Sequence, residues 1–250
     1  MTTDDYHDHA GRFGEEHVGE SRKEEMVGAV FGEVAQAYDV MNDLMSAGIH
    51  RLWKREMVTL LARDLSCGHI IDVAGGTGDV AFALARRGFR VDVVDINRAM
   101  IDVSRSRRPA GIPSGLLAFV CGRAEALPYG DRSLDGCTNA FGIRNVTHID
   151  QALAEAFRVL RPGGRFLCLE FGRPARPIAG LYHRASRTVI PRLGALVAGS
   201  AGSYRYLVES IARFPDQYRF AAMVREAGFS HVATRNLSGG IAALTTAWRL

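Results

Sequence analysis

HIIDVAGGTGD, residues 69–79, is the segment from which the architecture of this chain can be inferred. An apolar run typical of a buried strand leads into a loop with three glycines, and a helical pattern follows. Glycines at such a turn let the backbone approach a ligand, and the helix N-terminus offers unpaired amide donors. Asp95 ends the next apolar run, 17 residues after Gly78, where a carboxylate can accept hydrogen bonds from a ribose. The segment predicts an α/β fold that binds a nucleoside-bearing cofactor.

Outward from this segment, β-rich runs alternate with helical ones. Strands are predicted at 69–73, 91–95, 117–121, 134–141 and 165–171, and helices at 27–40, 50–65, 80–87, 98–107, 147–160 and 216–227. Thr147 and Asp150 have the spacing of a capping box. The last two runs, 231–237 and 241–248, are too close for a crossover helix and predict an antiparallel hairpin. We expect a doubly wound, mostly parallel seven-stranded sheet with a C-terminal antiparallel hairpin and an N-terminal helical cover.

Composition and charge fit a globular protein with an uneven charge distribution. The 250 residues are 47% hydrophobic and 23% charged, with a net charge of +4. Residues 1–25 hold eight acids and three bases, and the remainder has 28 bases and 19 acids. We expect an acidic, disordered tail at 1–26 and one domain at 27–250, with a substrate-cover insertion at 172–205. The tail lacks the apolar stretch that a signal peptide or membrane anchor requires. A cytoplasmic location is therefore expected.

The cysteines and histidines do not predict a metal site. Cys67, Cys121, Cys137 and Cys168 form no C-x-x-C pair, and they are expected to be reduced core residues. Three histidines in the tail fit no closed ligand set. We therefore expect no metal.

The identity of the cofactor is open to two interpretations. Gly76, Gly78 and Ala81 also satisfy the dinucleotide pattern of a nicotinamide dehydrogenase, and a tight turn without any ligand is a further alternative. However, the sheet of a dinucleotide-binding domain does not end in an antiparallel hairpin. The sequence also shows no second βαβαβ half with site residues. Asp72, two residues before the loop, is placed to meet a positively charged ligand group. These features favour S-adenosylmethionine, which has a cationic sulfur and an amino-acid tail.

Several motifs resemble those of known methyltransferases. DVAGGTGD at 72–79, VVDIN at 93–97, AEALPY at 124–129, FGIRNV at 141–146 and RVLRPGGRFLCLEF at 158–171 resemble class I enzymes that use S-adenosylmethionine. YDVMNDLMSAGIHRLWK at 38–54 and SYRYLVESIARFPDQ at 203–217 are similar to the ubiquinone/menaquinone biosynthesis C-methyltransferase family. The resemblance covers residues 30–250. It implies a Rossmann-like methyltransferase that methylates a ring carbon of a polyprenylated quinol. The implied acceptor is a naphthoquinol, a benzoquinol or both.

The resemblance also implies which residues bind the cofactor. Thr77 matches the threonine of the family's glycine loop, between Gly76 and Gly78, and Asp95 matches the acid that holds the ribose. The pair Arg123 and Ala124 occupies the place where the family contacts adenine. Arginine there is a departure, because a guanidinium has only donors, so stacking or a backbone contact must replace the usual side-chain bond. Ala140 is another departure, because some relatives have a serine lining the cofactor.

Methylation of a quinol ring carbon requires loss of a phenolic proton, and four residues are candidates for assisting it. Asp39 and His50 come from the N-terminal cover, and Arg144 and Asn145 follow the fourth strand, where ligands gather in open α/β sheets. Arg144 is assigned to stabilising a phenolate or orienting a water. The alternatives are a salt bridge from Arg144 to a surface acid, and a helix-start role for His50 with a backbone partner.

Residues 171–208 contain six arginines and no acidic residue, and their apolar residues recur near helical spacing. This pattern favours peripheral contact with an anionic membrane at its inner face, with an ordinary basic lid helix as the alternative. Nucleic acid is not expected as a partner, because 139–142 lacks the Asn-Pro-Pro-aromatic motif of base-methylating enzymes and no aromatics interleave with the arginines. A non-catalytic subunit is disfavoured by Thr77, Asp95 and Arg144. A homodimer or a quinone-biosynthesis complex remains open.

Overall fold

The computed structural model describes residues 12–13, 16–34, 43, 46, 48–175 and 201–250. A two-residue ribbon pairs Arg12–Phe13 with Glu16–His17 and precedes helices α1 (Glu20–Val34) and α2 (Ile49–Asp64). Helix α1 begins seven residues before the predicted start at 27, so the expected tail boundary at 26 falls inside this helix. Helix α2 was predicted to within one residue at each end.

Seven strands form one central sheet. The strands are β1 (His69–Val73), β2 (Arg90–Asp95), β3 (Leu117–Cys121), β4 (Leu134–Ala140), β5 (Leu160–Phe171), β6 (Ser230–Leu237) and β7 (Ala242–Trp248). The helices found between them are α3 (Asp79–Ala85), α4 (Arg98–Ser106), α5 (Ile149–Val159), α6 (Ala201–Arg213) and α7 (Gln217–Glu226).

The strand order is β3-β2-β1-β4-β5-β7-β6. The first five strands are parallel, and β7 runs antiparallel to both β5 and β6. The predicted mostly parallel sheet and C-terminal antiparallel hairpin are confirmed. The chain reverses its winding direction between β1 and β4, two neighbouring central strands. The loops that follow these strands therefore meet at the carboxyl end of the sheet. A Cβ on Gly142 would lie 2.6 Å from the Cβ of Ala74.

Both faces of the sheet are covered. Along β5, Phe166 and Cys168 belong to one buried cluster, which includes residues of α5 and α7. The alternate residues Leu167 and Leu169 belong to a second cluster, which includes residues of α2 and α3. Successive side chains of a strand point to opposite faces, so the sheet is doubly wound.

Two local predictions were wrong. The capping box at Thr147 does not form, because the N-cap of α5 is His148 and makes no side-chain capping bond. Instead, Oε1 of Glu125 accepts from the backbone amides of Thr147 and His148, which supplies the acceptor from another loop. Strand β5 begins at Leu160 instead of 165, and its register with β4 shifts between Leu134 and Gly136.

All four cysteines are free thiols, but their placement differs from the prediction. Cys137 and Cys168 are buried as expected, whereas Cys67 and Cys121 are exposed. Cys67 lies in the turn between α2 and β1, and Cys121 is the last residue of β3 at the sheet edge, where less of the protein covers it. Within the described ranges, no group of three or more His, Cys, Asp or Glu residues could hold a metal ion. Among the same residues, no helix is long and apolar enough to cross a membrane.

Candidate active site

The loop between β1 and α3, residues 74–78, is called here the glycine loop. Gly76 and Gly78 have φ values of +54° and +88°, in the left-handed region that glycine adopts without strain. A Cβ on Gly78 would lie 2.7 Å from Cζ of Phe82, so this glycine allows α3 to pack closely. A Cβ on Gly76 would meet nothing within 4 Å. Gly76 therefore borders open space, as a ligand-contacting position must.

Two cavities meet at the glycine loop, and Ala74 and Gly76 line both. The main cleft crosses the carboxyl ends of β1 to β4, and the residues that line it include Asp95, Asn97, Gly122, Ala124, Glu125, Phe141 and Asn145. The small cavity lies on the other side of the loop, and its lining includes Lys54, Asp72, Thr77, Asp79 and Ala140. The predicted cofactor residues Asp72, Gly76, Thr77, Asp95, Ala124 and Ala140 are thus brought together around one loop.

The carboxylate of Asp95 is held by backbone amides at the edge of the main cleft. Its Oδ2 accepts from the amide of Gly76 at 2.9 Å, and its Oδ1 accepts from the amide of Asn97 at 2.8 Å. Burial raises the pKa of Asp95, and these two hydrogen bonds oppose that effect. An ionised carboxylate has about four acceptor positions, so about two remain for the hydroxyl groups of a ligand.

The small cavity contains one cation between two carboxyl groups. Nζ of Lys54 donates to Oδ2 of Asp79 at 3.1 Å, and Oγ1 of Thr138 donates to Oδ1 of Asp72 at 2.7 Å. Burial raises the pKa of Asp72 to about 7, although the Thr138 hydrogen bond and the charge of Lys54 work in the opposite direction. A bound cation would favour the ionised form of this carboxyl. The cavity therefore suits a ligand group that carries both an ammonium and a carboxylate.

Two predicted cofactor residues lie outside both linings. Gly78 is buried, and a Cβ at this residue would meet the side chains of Phe82 and Ser104. The side chain of Arg123 is 42% exposed, and its Nε lies 3.9 Å from Oε2 of Glu125. The neighbours of Arg123, namely Gly122, Ala124 and Glu125, line the main cleft instead.

Arg144 and Glu170 form a buried ion pair behind the main cleft. Nη1 of Arg144 lies 3.0 Å from Oε1 of Glu170 and also donates to the carbonyl oxygen of Phe141. The guanidinium carbon lies 5.5 Å from the ring centroid of Phe171. Among the described residues, Nε of Arg144 has no hydrogen-bond partner. The alternative of a salt bridge to a surface acid is wrong, because the partner of Arg144 is a carboxylate at the buried end of β5.

Asn145 lines the main cleft and is held by α6. Its Oδ1 accepts from the hydroxyl of Tyr206 at 3.1 Å, and Tyr206 is 5% exposed. Burial raises the pKa of Tyr206, so its hydroxyl remains a donor. The predicted pair Arg144 and Asn145 therefore divides into one residue at the cleft and one behind it.

Of the two candidates from the N-terminal cover, the structure places only His50, which does not line the main cleft. Asp39 lies outside the described residues. Nδ1 of His50 lies 2.8 Å from Oγ of Ser46 and 3.7 Å from Oδ1 of Asp43. Burial lowers the pKa of His50, and the charge of Lys54 lowers it further. His50 lines a separate opening on the outer side of α2, and its hydrogen-bond partner is a side chain where the alternative interpretation expected the backbone.

Sequence reasoning did not single out four residues of this region. Lys54 and Glu125 line the cavities, and Glu170 and Tyr206 hold the residues that follow β4. Glu170 was detectable in principle, because an acid within an otherwise apolar strand requires a buried partner. Tyr206 had no such signal.

Curated relatives match the chain over nearly its full length. A protein of Bartonella bacilliformis is 50% identical over 243 residues, which is 95% of this chain and 94% of that protein. A protein of Brucella canis is 52% identical over 246 residues, covering 95% of this chain and 90% of that protein. Both are named ubiquinone/menaquinone biosynthesis C-methyltransferase UbiE.

Solved structures share the fold at low sequence identity. An S-adenosylmethionine-dependent methyltransferase of Thermotoga maritima has a TM-score of 0.62 at 20% identity, over 90% of this chain and 100% of that chain. One of Methanococcus maripaludis has a TM-score of 0.60 at 16% identity, over 87% and 93% of the two chains. The model of one protein family matches residues 19–249. This chain belongs to the ubiE/COQ5 methyltransferase family.

Proposed function

We propose that this protein transfers the methyl group of S-adenosylmethionine to a ring carbon of a polyprenylated quinol. The acceptor is demethylmenaquinol, 2-polyprenyl-6-methoxy-1,4-benzoquinol, or both. The observation that carries the proposal is the pair of cavities that meet at Gly76, one bordered by a ribose-type acceptor and the other by charges of both signs. The reaction class in the names of the curated relatives supports the same conclusion.

The residues around the glycine loop fit S-adenosylmethionine. The open space beside Gly76 lets backbone and ligand approach, and the remaining acceptor positions of Asp95 suit the two ribose hydroxyls. Lys54 and Asp72 carry the charges that complement a carboxylate and an ammonium. When bound, the cofactor supplies an electrophilic methyl group on a positively charged sulfur.

An aromatic row beside the main cleft suits the ring of a quinol. Phe141 lines the cleft, and its ring centroid lies 4.8 Å from that of Phe171 and 6.1 Å from that of Trp53. Aromatic rings pack against one another in offset or tilted arrangements, so Phe141 can contact the ring of a quinol in the cleft. The carboxyl ends of β4 and β5 therefore offer a binding surface for the acceptor next to the glycine loop.

The chain also offers donors for a phenolate. Loss of a phenolic proton makes the ring carbon nucleophilic, and donors placed near the oxygen favour that form. Nε–H of Arg144 lacks a partner among the described residues, a feature expected of a donor reserved for a ligand or a water. The amide of Asn145 borders the cleft itself. We assign the amide of Asn145 to the phenolic oxygen and Nε–H of Arg144, which lies behind the main cleft, to orienting a water. We retain Asp39 as the candidate proton acceptor, because His50 lines a separate opening.

Contact with the membrane is part of the proposal, because a polyprenylated quinol is soluble in lipid. The arginine-rich segment 171–208 is the predicted contact, and its residues 176–200 lie outside the described ranges. This placement would let the acceptor pass from an anionic membrane surface to the cleft.

Methyl transfer with a labelled cofactor tests the function. Purified protein, cofactor labelled in the methyl group, and an extract that contains quinones and RNA are incubated together. Label in the quinone fraction is the expected result, and quinone profiling of a deletion strain identifies the substrate by the demethylated species that accumulates. Label in RNA, or no change in the quinone profile, would refute the proposal.

A further inference from the structure

A third opening lies on the outer side of α2 and α3, with a cavity volume of about 420 Å³. It is called here the basic cleft, because six cationic side chains line it: Arg51, Lys54, Arg55, Arg86, Arg87 and Arg107. These come from α2, from the end of α3 and from the end of α4. Cations therefore converge on one cavity from three separate elements.

Acidic groups do not balance the charge of the basic cleft. Asp79 is the acid in its lining, and it lies 3.1 Å from Nζ of Lys54 and 3.8 Å from Nη2 of Arg107. Asp43 pairs with Arg51 at 2.5 Å. Within the part of the chain that the structure describes, Arg55 and Arg86 have no acidic partner.

The surplus of positive charge favours an anion in the cleft. Cations that converge on a cavity raise the local potential, and an anionic group relieves their repulsion. His50 also faces the cleft, but burial and the charge of Lys54 lower its pKa, so its charge is not required. The lining thus points to a ligand with at least one strong negative charge.

Exposed apolar side chains lie next to these cations on α2. Leu52 is 63% exposed and Ile49 is 40% exposed. Leu52 precedes Arg55 by three residues, so the two are neighbours on the helix surface. Apolar side chains flanked by arginine on an exposed helix face are typical of helices that lie on a membrane. The only aromatic residue of the described lining is Phe82, which is 5% exposed, so the cleft has no platform on which nucleic-acid bases could stack.

We propose that the basic cleft binds the phosphate of an anionic phospholipid headgroup while Leu52 enters the adjacent acyl region. The inference rests on the proposed function, because it concerns how a lipid-soluble acceptor is met. A headgroup bound here is next to the small cavity, since the Lys54–Asp79 ion pair lines both spaces. The basic cleft orients the protein so that the membrane surface lies beside the cofactor site.

Vesicle sedimentation of the full chain tests this site. We compare phosphatidylcholine vesicles with the same vesicles after phosphatidylglycerol is added, using the double variant Arg55→Gln, Arg86→Gln. The matched control is Arg219→Gln, Arg225→Gln, which removes two exposed arginines from α7. A cation at an anionic surface changes binding about 5-fold, so we expect the cleft variant to bind about 30-fold more weakly and the control to bind nearly as the wild type does. Circular dichroism verifies that each variant is folded.

Three outcomes would overturn the inference. The first is equal vesicle binding by the cleft variant and the wild type. The second is an equal loss in the control pair, which would indicate general charge attraction. The third is tighter binding of RNA than of vesicles, lost in the cleft variant. Addition of soluble glycerol phosphate, followed by amide NMR shifts of Val58 and Ala83, provides a second measurement, and unshifted amides would also contradict a phosphate site.

The failure of this inference is distinguishable from failure of the proposed function. The cleft variant should methylate a short-chain, water-soluble demethylquinol as the wild type does, and it should lose activity on a long-chain quinol embedded in vesicles. Normal activity on the vesicle-embedded substrate would refute the headgroup site and leave the methyltransferase assignment intact. Absence of activity on both substrates in the wild type would refute the assignment and leave the vesicle measurements valid.

Discussion

Arg144, in the loop after β4, forms an ion pair with Glu170 at the end of β5. Nη1 lies 3.0 Å from Oε1, and the side chains are only 3% and 4% exposed. Burial raises the pKa of Glu170, and the charge of Arg144 opposes this effect. Each charge therefore depends on the other for its neutralisation. The pair joins the loop after β4 to the end of β5 and supports the cleft from behind.

Removal of one partner should destabilise the protein strongly. Glu170→Gln leaves a buried guanidinium without a counter-charge, and we expect the free energy of unfolding to fall by about 3–5 kcal/mol. Arg144→Met combined with Glu170→Gln should cost less than the sum of the two single variants. Urea denaturation of the four proteins in this double-mutant cycle is the measurement. Additive losses would show that the two charges are independent.

Asp95→Ala should weaken cofactor binding. A hydrogen bond to a charged group contributes about 1.5–3 kcal/mol, so loss of two such bonds to ribose hydroxyls predicts at least about a 100-fold lower affinity. Isothermal titration calorimetry with S-adenosylmethionine measures this. Asp102→Ala is the control, because Asp102 is a carboxylate on α4 that is 52% exposed and pairs with Arg98. Equal affinity of the Asp95→Ala variant and the wild type would place the ribose elsewhere.

The carboxyl of Asp72 should make stability depend on pH. Its pKa is raised from 3.8 to about 7 by burial, so the folded state binds more protons than the unfolded state between these values. The protonated carboxyl therefore makes its full contribution to the free energy of unfolding below about pH 4. That contribution is lost as the pH rises through 7. Asp72→Asn keeps the acceptor for Thr138 and has no proton to lose.

The difference between Asp72→Asn and the wild type gives the test. We expect the variant to gain on the order of 2–4 kcal/mol relative to the wild type between about pH 4 and about pH 8 in the absence of cofactor. Unfolding in urea at several pH values checks this. A difference that does not change with pH would show that Asp72 titrates normally. Saturating S-adenosylmethionine should reduce the difference, because a bound ammonium favours the ionised wild-type carboxylate.

Much of the fold could be predicted because its signals are local. Strands β1 and β3 were predicted at their observed bounds, since short apolar runs bounded by turn residues characterise strands. The hairpin was predicted because only three residues separate the runs 231–237 and 241–248, and the observed strands are separated by four. The insertion of β7 between β5 and β6 was not foreseen, because strand order depends on packing between distant segments. The N-cap at His148 was missed for a similar reason, since Glu125 supplies the acceptor from another loop.

The residues of the candidate site likewise differ in whether a local pattern could reveal them. Gly76 and Asp95 were identified from a motif whose spacing reflects their direct hydrogen bond. The partners Glu170 and Tyr206 lie 26 and 61 residues from the side chains that they hold, and no local pattern records such a pairing. The placement of His50 was also beyond sequence reasoning, because the register of α2 against α3 decides which opening its side chain faces.

Tyr206→Phe should affect catalysis more than cofactor binding. The substitution removes the hydrogen bond to Oδ1 of Asn145 and leaves the packing of the ring unchanged. A neutral hydrogen bond contributes about 0.5–1.5 kcal/mol, so we expect kcat to fall about 2–12-fold with an unchanged cofactor Kd. Tyr218→Phe is the control, because Tyr218 is 68% exposed. A kcat equal to that of the control would show that Tyr206 does not position Asn145.

The two glycines of the loop should respond differently to the same added methyl group. Gly78→Ala places a Cβ 2.7 Å from Cζ of Phe82 at a φ of +88°, and we expect a loss of about 2–4 kcal/mol in the free energy of unfolding. Gly76→Ala has a φ of +54° and open space around its Cβ, so the strain should cost only about 1–2 kcal/mol. Because that open space lies where the two cavities meet, Gly76→Ala should still lower the affinity for S-adenosylmethionine by at least about 10-fold. Unfolding and calorimetry on both variants separate these effects. Unchanged affinity in Gly76→Ala would mean that the ligand does not approach the loop at this residue, and unchanged stability in Gly78→Ala would mean that Phe82 and Ser104 yield to the methyl group without cost.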